Sequence, residues 1–244
     1  MRLDRGRTLA ALDLLETAMT RKAAARKRAR LEAKLQAAMA KAFRAQGRAF
    51  VRELGAVRST YPIAEAARWG DWAAKFDKAV AATVQLFTGP IDAATTSAVL
   101  LGAKAILGTL KAGIGFDLAN PRAVAWLAEN PAAERVTMIT ETTRGYIAAL
   151  VDRAVEDGVS YSELARRITD RYEEMAAGKP QLHIDSRAHL IAVTEVGEAY
   201  SAGNLMAGWQ MARALLAAER ELAAGRDAAF MRAKIATARF YADH

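Results

Sequence analysis

The sequence contains no cysteine among its 244 residues. That absence excludes disulfides, thiolate metal sites and a cysteine nucleophile, and it fits a reducing compartment. Proline is also scarce, with five in the whole chain, and runs of β-branched residues are few, so little room is left for strands. We therefore expect an all-α fold: a multi-helix globular domain with a basic N-terminal helical arm and a C-terminal helical pair.

The chain also lacks the motifs that usually anchor nucleotide or acyl-transfer chemistry. It has no G-x-x-x-x-G-K-[ST] loop, no G-x-G-x-x-G between a strand and a helix, and no G-x-S-x-G elbow. Its three histidines, His183, His189 and His244, show no metal-binding spacing. Glu195 has no second titratable group within sequence reach to form a catalytic pair. We expect no catalytic residue, cofactor or metal, and we predict that the protein is not an enzyme.

Long apolar runs are limited as well. The most apolar stretch, residues 98–116, is interrupted by Lys104, Lys111 and four glycines, so it falls short of a membrane-spanning segment and is expected to be a buried helix. Before it, apolar residues from Trp69 to Phe87 recur at near-helical spacing until Gly89-Pro90 ends the run. No secretory signal is evident near the N-terminus. We expect no membrane association.

Positive charge is concentrated at the N-terminus. Residues 1–50 hold 13 Lys and Arg against 4 Asp and Glu, whereas residues 51–244 hold 22 against 23. The densest run, RKAAARKRAR, is rich in good helix formers, and clustered cations of this kind favour contact with DNA or an acidic protein surface. A solvated helix face is the alternative. We expect the rest of the chain to fold without residues 1–50. The candidate DNA contacts are Arg21, Lys22, Arg26, Lys27, Arg28 and Arg30.

Four blocks between residues 116 and 203 carry helix signals. In the first, FDLANPRAVAWL, the order Asn120-Pro121 predicts an N-cap and a helix that reaches about residue 130, with Val124 and Leu127 on its apolar face. The second block, ITETTRGYI, belongs to a predicted amphipathic helix whose apolar residues recur at spacings of three and four. Gly158 is predicted to end this helix. Its apolar stripe comprises Val136, Ile139, Thr143, Ile147, Leu150 and Ala154.

The third and fourth blocks add a capping box and a carboxylate on an apolar face. In GVSYSELARRI, Ser160 and Glu163 stand in the S-x-x-E order of a capping box. The fourth block, RAHLIAVTEVGEAYSAG, follows Asp185 and Ser186 as caps, and it places Glu195 on an apolar stripe that runs from residue 188 to 206. A carboxylate among apolar neighbours needs a partner. We expect an ion pair or hydrogen bond to Arg187 or Arg144. Because Arg187 lies two turns earlier on the same helix, Arg144, or a cation from another subunit, is the better candidate.

Together the four blocks resemble the head-morphogenesis domain, the minor head protein domain of Mu-like and related tailed phages. The resemblance implies a structural minor head protein that assists phage or prophage capsid assembly at the portal, in the virion and, during assembly, in the host cytoplasm. It implies the portal protein and other capsid proteins as partners. Val193 stands where the family commonly has Arg, and Ser201 where it has Asn. The motif residues are Asn120, Pro121, Trp126, Glu141, Thr142, Thr143, Arg144, Ser160, Glu163, Arg187, Thr194, Glu195 and Gly203.

The C-terminal stretch, from about Arg213, reads as two helices separated at Gly225, with Asp227 as cap of the second. It is similar to the C-terminal end of acyl-CoA dehydrogenases, whose flavin and thioester machinery lies elsewhere in a longer chain. We expect three regions: a basic arm at 1–55, a head-morphogenesis-like domain at 56–210 and a tail at 211–244. The alternatives are a helical nucleic-acid-binding module or a fragment fused to an acyl-CoA dehydrogenase tail.

Overall fold

The computed structural model describes residues 5–55, 69–109, 115–177 and 187–223. These segments hold six helices and no β-strand, so the predicted all-α fold is confirmed. The helices are α1 (Arg5–Leu54), α2 (Trp69–Thr109), α3 (Pro121–Glu129), α4 (Ala132–Glu156), α5 (Tyr161–Ala176) and α6 (Arg187–Ala223).

The chain forms two compact units, each built from segments that are distant in sequence. Among the described residues, the first unit comprises residues 5–31, 95–109, 115–129 and 196–223, and the second comprises residues 32–55, 69–94, 130–177 and 187–195. The three long helices α1, α2 and α6 each contribute to both units. The three regions that we drew along the sequence, with boundaries at 55 and 210, stay a prediction.

The core of the second unit is built around aromatic side chains from α1 and α2. The rings of Phe43 and Phe87 meet edge to face at 5.2 Å, and those of Phe50 and Phe76 at 5.5 Å. Edge-to-face pairs contribute beyond the apolar area that they bury. From α5, the Tyr172 hydroxyl donates to the Gln46 side chain at 3.3 Å, and burial raises the pKa of Tyr172. The second half of α1 is thus part of a core.

This packing corrects our expectation that the chain folds without residues 1–50. Leu35, Met39, Phe43 and Phe50 are all fully buried in the second unit. Each large apolar side chain of this kind contributes about 1.5–3 kcal/mol when it leaves water. Deleting them would remove one wall of the core, so the basic residues of α1 have to be tested by substitution.

The predicted helix break at Gly89-Pro90 is wrong, because α2 continues through Pro90 to Thr109. Proline removes one backbone hydrogen bond in a helix interior. Phe87 and Ile91, which flank it, are both buried, so tertiary packing holds the helix across this point. By length and composition, Trp72–Gly108 could cross a membrane, and 44% of its most apolar window is buried within the protein.

Candidate functional site

The predicted motif residues of the second unit centre on the contact between α4 and the start of α6. The stripe predicted on α4 is buried at Val136, Ile139, Thr143, Ile147 and Ala154, with Val151 in place of Leu150 as the buried residue of the last turns. The Thr143 hydroxyl donates to the carbonyl of Ile139 at 2.7 Å, so this polar side chain is satisfied inside its own helix. The periodicity therefore predicted the packed face of α4 correctly.

A buried ion pair joins the two helices. Glu195 on α6 pairs with Arg135 on α4, and the two side chains are 12% and 8% exposed. The predicted burial of Glu195 is confirmed, whereas the predicted partners, Arg144 and Arg187, are wrong. Arg135 lies four residues before Ile139, so helix periodicity could have indicated that it is buried with the stripe, but not that it pairs with Glu195.

Arg144 has a different role, as a link between α4 and α2. It donates to Asp77 at 2.6 Å, lies 3.4 Å from the Glu141 carboxylate, and its guanidinium sits 5.1 Å from the centre of the Phe76 ring. Burial acts to lower the pKa of Arg144, but the hydrogen bond and charge of Asp77 outweigh it and raise that pKa. Thr142, next to Glu141, is exposed and donates to the Met138 carbonyl at 2.9 Å.

Arg187, at the start of α6, is used in packing against α4. It donates to the Ile139 carbonyl at 3.2 Å and lies 5.9 Å from the centre of the Tyr146 ring. Burial lowers the pKa of Arg187. Thr194, the neighbour of Glu195, faces solvent. The fourth block thus contacts the second through the Ile139 carbonyl and the Tyr146 ring, and it contacts Arg135 of α4 through an ion pair, while Thr194 lies outside these contacts.

In the first unit, Asn120 caps α3 as the sequence predicted. Its side-chain oxygen accepts from the Arg122 backbone N–H at 3.0 Å, and Pro121 is the first helical residue. The Asn120 amide also donates to Gln210 on α6 at 3.1 Å, which ties the cap to a second helix. The predicted apolar face is only partly correct, because Val124 is 53% exposed.

Trp126, the remaining motif residue of α3, is half-buried. Arg122 lies 4.0 Å from the centre of the Trp209 ring on α6, a cation–π contact that the sequence did not indicate. The short helix α3 is therefore fastened to α6 mainly by polar and aromatic contacts. Its only fully buried side chain is that of Ala123.

The hydrogen bond that Ser160 contributes to the predicted capping box is present at the start of α5. Ser160 is the N-cap, and its hydroxyl accepts from the Glu163 backbone N–H at 3.2 Å. The Glu163 carboxylate accepts from Arg166 at 2.8 Å and from Arg167 at 3.0 Å. These hydrogen bonds, first that from Arg166, lower the pKa of Glu163 to about 2. Glu163 is the centre of a surface ion network as well as a helix-start residue.

Gly203 has a packing role that it shares with Gly102, a residue that we did not predict. A methyl group added at Gly203 would lie 2.1 Å from the Val99 carbonyl oxygen on α2. One added at Gly102 would lie 2.1 Å from the Tyr200 carbonyl oxygen on α6. Each glycine lets the backbone of the other helix approach it closely. The motif glycine is thus half of a reciprocal helix contact.

The predicted DNA-contact run lies on α1 within the first unit. Arg21, Lys22, Arg26, Lys27 and Arg30 face solvent. Arg28, the sixth residue of that run, is half-buried, and its guanidinium lies 5.5 Å from the centre of the Tyr200 ring. Five of the six cations are therefore available to a partner, whereas Arg28 serves packing.

Within the described residues, no group of three or more His, Asp or Glu side chains is arranged to hold a metal ion. The His189 ring lies 3.3 Å from the Gln36 side-chain oxygen in the second unit. The predicted caps Asp185 and Ser186, the histidines His183 and His244, and the predicted break at Gly225 with the cap Asp227 lie outside the described residues. The motif positions that are described act as caps, helix contacts and surface ion pairs.

The class of protein defined so far is an all-α protein whose motif residues fasten helices together. Residues 200–244 match the family described as acetyl-CoA dehydrogenase C-terminal like. The chain is also 37% identical over 106 residues to 3-methylmercaptopropionyl-CoA dehydrogenase of Ruegeria pomeroyi. That alignment covers 39% of this chain and only 17% of the relative, so the chain spans a small part of that enzyme. No solved structure matches the chain.

These matches confirm that the C-terminal part resembles the corresponding region of acyl-CoA dehydrogenases. The family match begins at residue 200, upstream of the start near Arg213 that we predicted. It therefore overlaps the end of the fourth block, including Gly203. In the structure α6 runs without interruption from Arg187 to Ala223, so the two resemblances share one helix.

Proposed function

We propose that this protein is a structural minor head protein of a tailed phage or prophage, which assists capsid assembly at the portal. The proposal rests on the resemblance of the four blocks to the head-morphogenesis domain. The observation that carries it furthest is the ion pair between Glu195 of the fourth block and Arg135, which lies six residues before Glu141 of the second block. Motif residues that hold helices together in this way are better suited to stabilising a rigid helical body than to catalysing a reaction.

The same reasoning supports a role without catalysis. Glu195 is held by a cation and Arg144 by Asp77, while Glu163 accepts from two arginines. A general base has to be able to reach a substrate proton, and a carboxylate that is already paired with arginine is poorly placed to do so. We propose that the polar motif residues position helices for assembly, and that the partners are the portal and other capsid proteins.

A surface row on α6 supports partner binding in the first unit. Leu205, Trp209 and Leu216 are each 45–56% exposed and lie on the same side of the helix, at spacings of four and seven residues. Exposed apolar side chains that share one face are typical of protein interaction sites. We call these three residues the α6 apolar row and propose that it contacts a capsid or portal subunit.

The test is a pull-down of the portal protein encoded beside this gene. Leu205→Asp together with Leu216→Asp should abolish retention of the portal and leave thermal unfolding unchanged. Leu86→Asp, at an exposed leucine of α2 in the second unit, is the matched control and should retain the portal. The absence of portal and capsid genes from the neighbourhood, or unchanged retention by the row variant, would contradict the proposal.

A second candidate is a helical nucleic-acid-binding module that acts without a portal partner. The observation that favours it is the exposure of Arg21, Lys22, Arg26, Lys27 and Arg30 on one helix. Clustered cations release counterions from phosphate and give affinity that falls steeply with salt. DNA binding by the purified chain that disappears when these five residues become Gln, without any association with capsid proteins, would favour this function.

The matches to acyl-CoA dehydrogenases favour a third candidate, a fragment related to those enzymes. The chain covers 17% of its curated relative, so any dehydrogenase activity would need parts that the matched region does not supply. A visible absorbance spectrum of the purified protein tests this candidate. Bound flavin would support it, and a protein that purifies colourless and does not retain added flavin would reject it.

A further inference from the structure

The second half of α1 carries a row of exposed cations within the second unit. Lys34, Lys41 and Arg48 follow one another at intervals of seven residues, and Arg52 lies one turn beyond. Seven residues make almost two helical turns, so these side chains lie along one line about 10 Å apart. All four face solvent. We call Lys34, Lys41, Arg48 and Arg52 the α1 cation row.

The charges around the row leave it positive. Among the described residues, none of the four cations has a carboxylate partner. Glu53, adjacent to Arg52 in sequence, pairs with Lys78 at 2.7 Å. Arg44, on the same helix, pairs with Glu173 on α5 at 2.8 Å. Glu32 precedes Lys34 by two residues, which places it on the opposite side of the helix. The α1 cation row is therefore an acid-free strip on the helix surface.

An open cleft adjoins the C-terminal end of the row. It has a volume of about 470 Å³ and is lined by Arg48 and Arg52, with Ala45 and Ala49 of α1 and Ala82 and Thr83 of α2. The Thr83 hydroxyl donates to the Ala79 carbonyl at 2.8 Å. Small side chains form the floor, so a bulky anionic group can approach between the two guanidinium groups. Arginine is well suited to such a group because its fork matches phosphate oxygens.

We propose that the α1 cation row binds the phosphate backbone of double-stranded DNA without reading its sequence. Four unpartnered cations in a line can replace the counterions of a polyanion, which is the main source of non-specific affinity. The row contains no aromatic side chain on which bases could stack, so it fits a duplex better than a single strand. The row belongs to the second unit, whereas the Arg21–Arg30 run lies in the first, and the assembly role does not require it.

The test compares two sets of three substitutions in the full chain that remove the same charge from the same unit. The row variant is Lys41→Gln, Arg48→Gln and Arg52→Gln. The control variant is Arg166→Gln, Arg167→Gln and Arg171→Gln on α5, where each arginine is ion-paired. Affinity for a random-sequence duplex is measured over a series of salt concentrations, and thermal unfolding by circular dichroism confirms the fold.

We expect the row variant to lose about tenfold or more in affinity for the duplex at low salt. The magnitude of the slope of log affinity against log salt should also fall by about 2 to 3, because each lost phosphate contact lowers that magnitude by about 0.9. The control variant should keep most of the affinity and the slope. If the row variant does not fold, the double variant Lys41→Gln and Arg52→Gln is compared with the double control Arg166→Gln and Arg171→Gln, and the expected slope change is about 2.

Three outcomes would overturn the proposal. Equal losses in both variants would mean that net charge alone matters. An unchanged row variant, with binding lost when Arg21, Lys22 and Arg26 become Gln, would assign DNA to the first unit. Normal DNA binding with loss of poly-glutamate binding would assign the row to an acidic protein surface. None of these results affects retention of the portal, so the DNA-binding proposal and the assembly proposal can each be refuted without refuting the other.

Discussion

Glu195 on α6 and Arg135 on α4 face each other as an ion pair that is largely removed from solvent. Arg135 also lies within 3.4 Å of the Asn130 side-chain oxygen, at the turn before α4. A charged pair in such a place contributes little net stability, because both groups lose their hydration, but the loss of either partner leaves a charge uncompensated. The pair therefore fixes how α4 and α6 meet.

The first prediction is that Glu195→Ala destabilises the protein by about 3–5 kcal/mol, because Arg135 is left buried without its anion. Glu195→Ala combined with Arg135→Ala should recover part of that loss, which gives a coupling energy in a double-mutant cycle. Denaturant unfolding of the two single variants and the double variant measures it.

Arg144 supplies the control for this cycle. It pairs with Asp77 rather than Glu195, so Glu195→Ala and Arg144→Ala should be additive within about 0.5 kcal/mol. Coupling of Glu195 to Arg144 instead of Arg135 would show that the ion pair has been assigned to the wrong arginine.

The second prediction concerns the reciprocal glycine contact. Gly203→Ala should destabilise the first unit by about 1–3 kcal/mol or more, because the added methyl group meets the Val99 carbonyl and the two helices have to move apart. Gly208→Ala on the same helix has open space around it and should stabilise by about 0.5–1 kcal/mol through helix propensity. Equal effects in thermal melts of the two variants would refute the close contact.

The third prediction is that Ser160→Ala costs about 1 kcal/mol, since the Glu163 backbone N–H loses its N-cap acceptor. Ser201→Ala is the control, because Ser201 is exposed within α6 and only donates to the Gly197 carbonyl of its own helix. That variant should be neutral or slightly stabilising in the same denaturant melts. A silent Ser160→Ala would mean that the cap does not hold the start of α5.

The fourth prediction is a pH dependence that centres on Glu163. Its pKa in the folded protein is lowered to about 2 from 4.5, so its ionised form contributes stability that is fully present above pH 4.5 and lost as the pH falls toward 2. Glu163→Gln should therefore be less stable than the parent at pH 7, and the two should converge at low pH. The difference should shrink in high salt because the group is exposed.

Measurement of the Glu163 carboxyl chemical shift against pH tests the cause directly. Replacing Arg166 and Arg167 with Gln should return the pKa of Glu163 toward 4.5, since those two residues supply its hydrogen bonds. A pKa that stays low in that double variant would show that the arginines are not the cause.

The features that the sequence predicted correctly depend on residues within about four positions of one another. The Asn120 cap, the Ser160 cap and the end of α4 at Gly158 are all set by short-range backbone needs. At Gly158 the backbone has φ 62°, a conformation that favours glycine. The buried stripe of α4 follows from helix periodicity alone. Such signals can be read without knowledge of tertiary contacts.

The features that were missed depend on which helices meet. Nothing in the spacing of residues 135 and 195 shows that Arg135, and not Arg144, faces Glu195. The continuity of α2 through Pro90 depends on packing around Phe87 and Ile91, which outweighs the local cost of proline. The charge pattern of α1 likewise obscured that Phe43 and Phe50 belong to a core.

The most direct test of the proposed assembly role is sedimentation of shells formed when this chain is co-expressed with the portal and major capsid proteins that the proposal requires its gene cluster to encode. We expect the chain to co-sediment with portal-containing shells, and Leu205→Asp with Leu216→Asp to remove it while the shells still form. Shells that contain the portal but exclude the unmodified chain would contradict the assembly role.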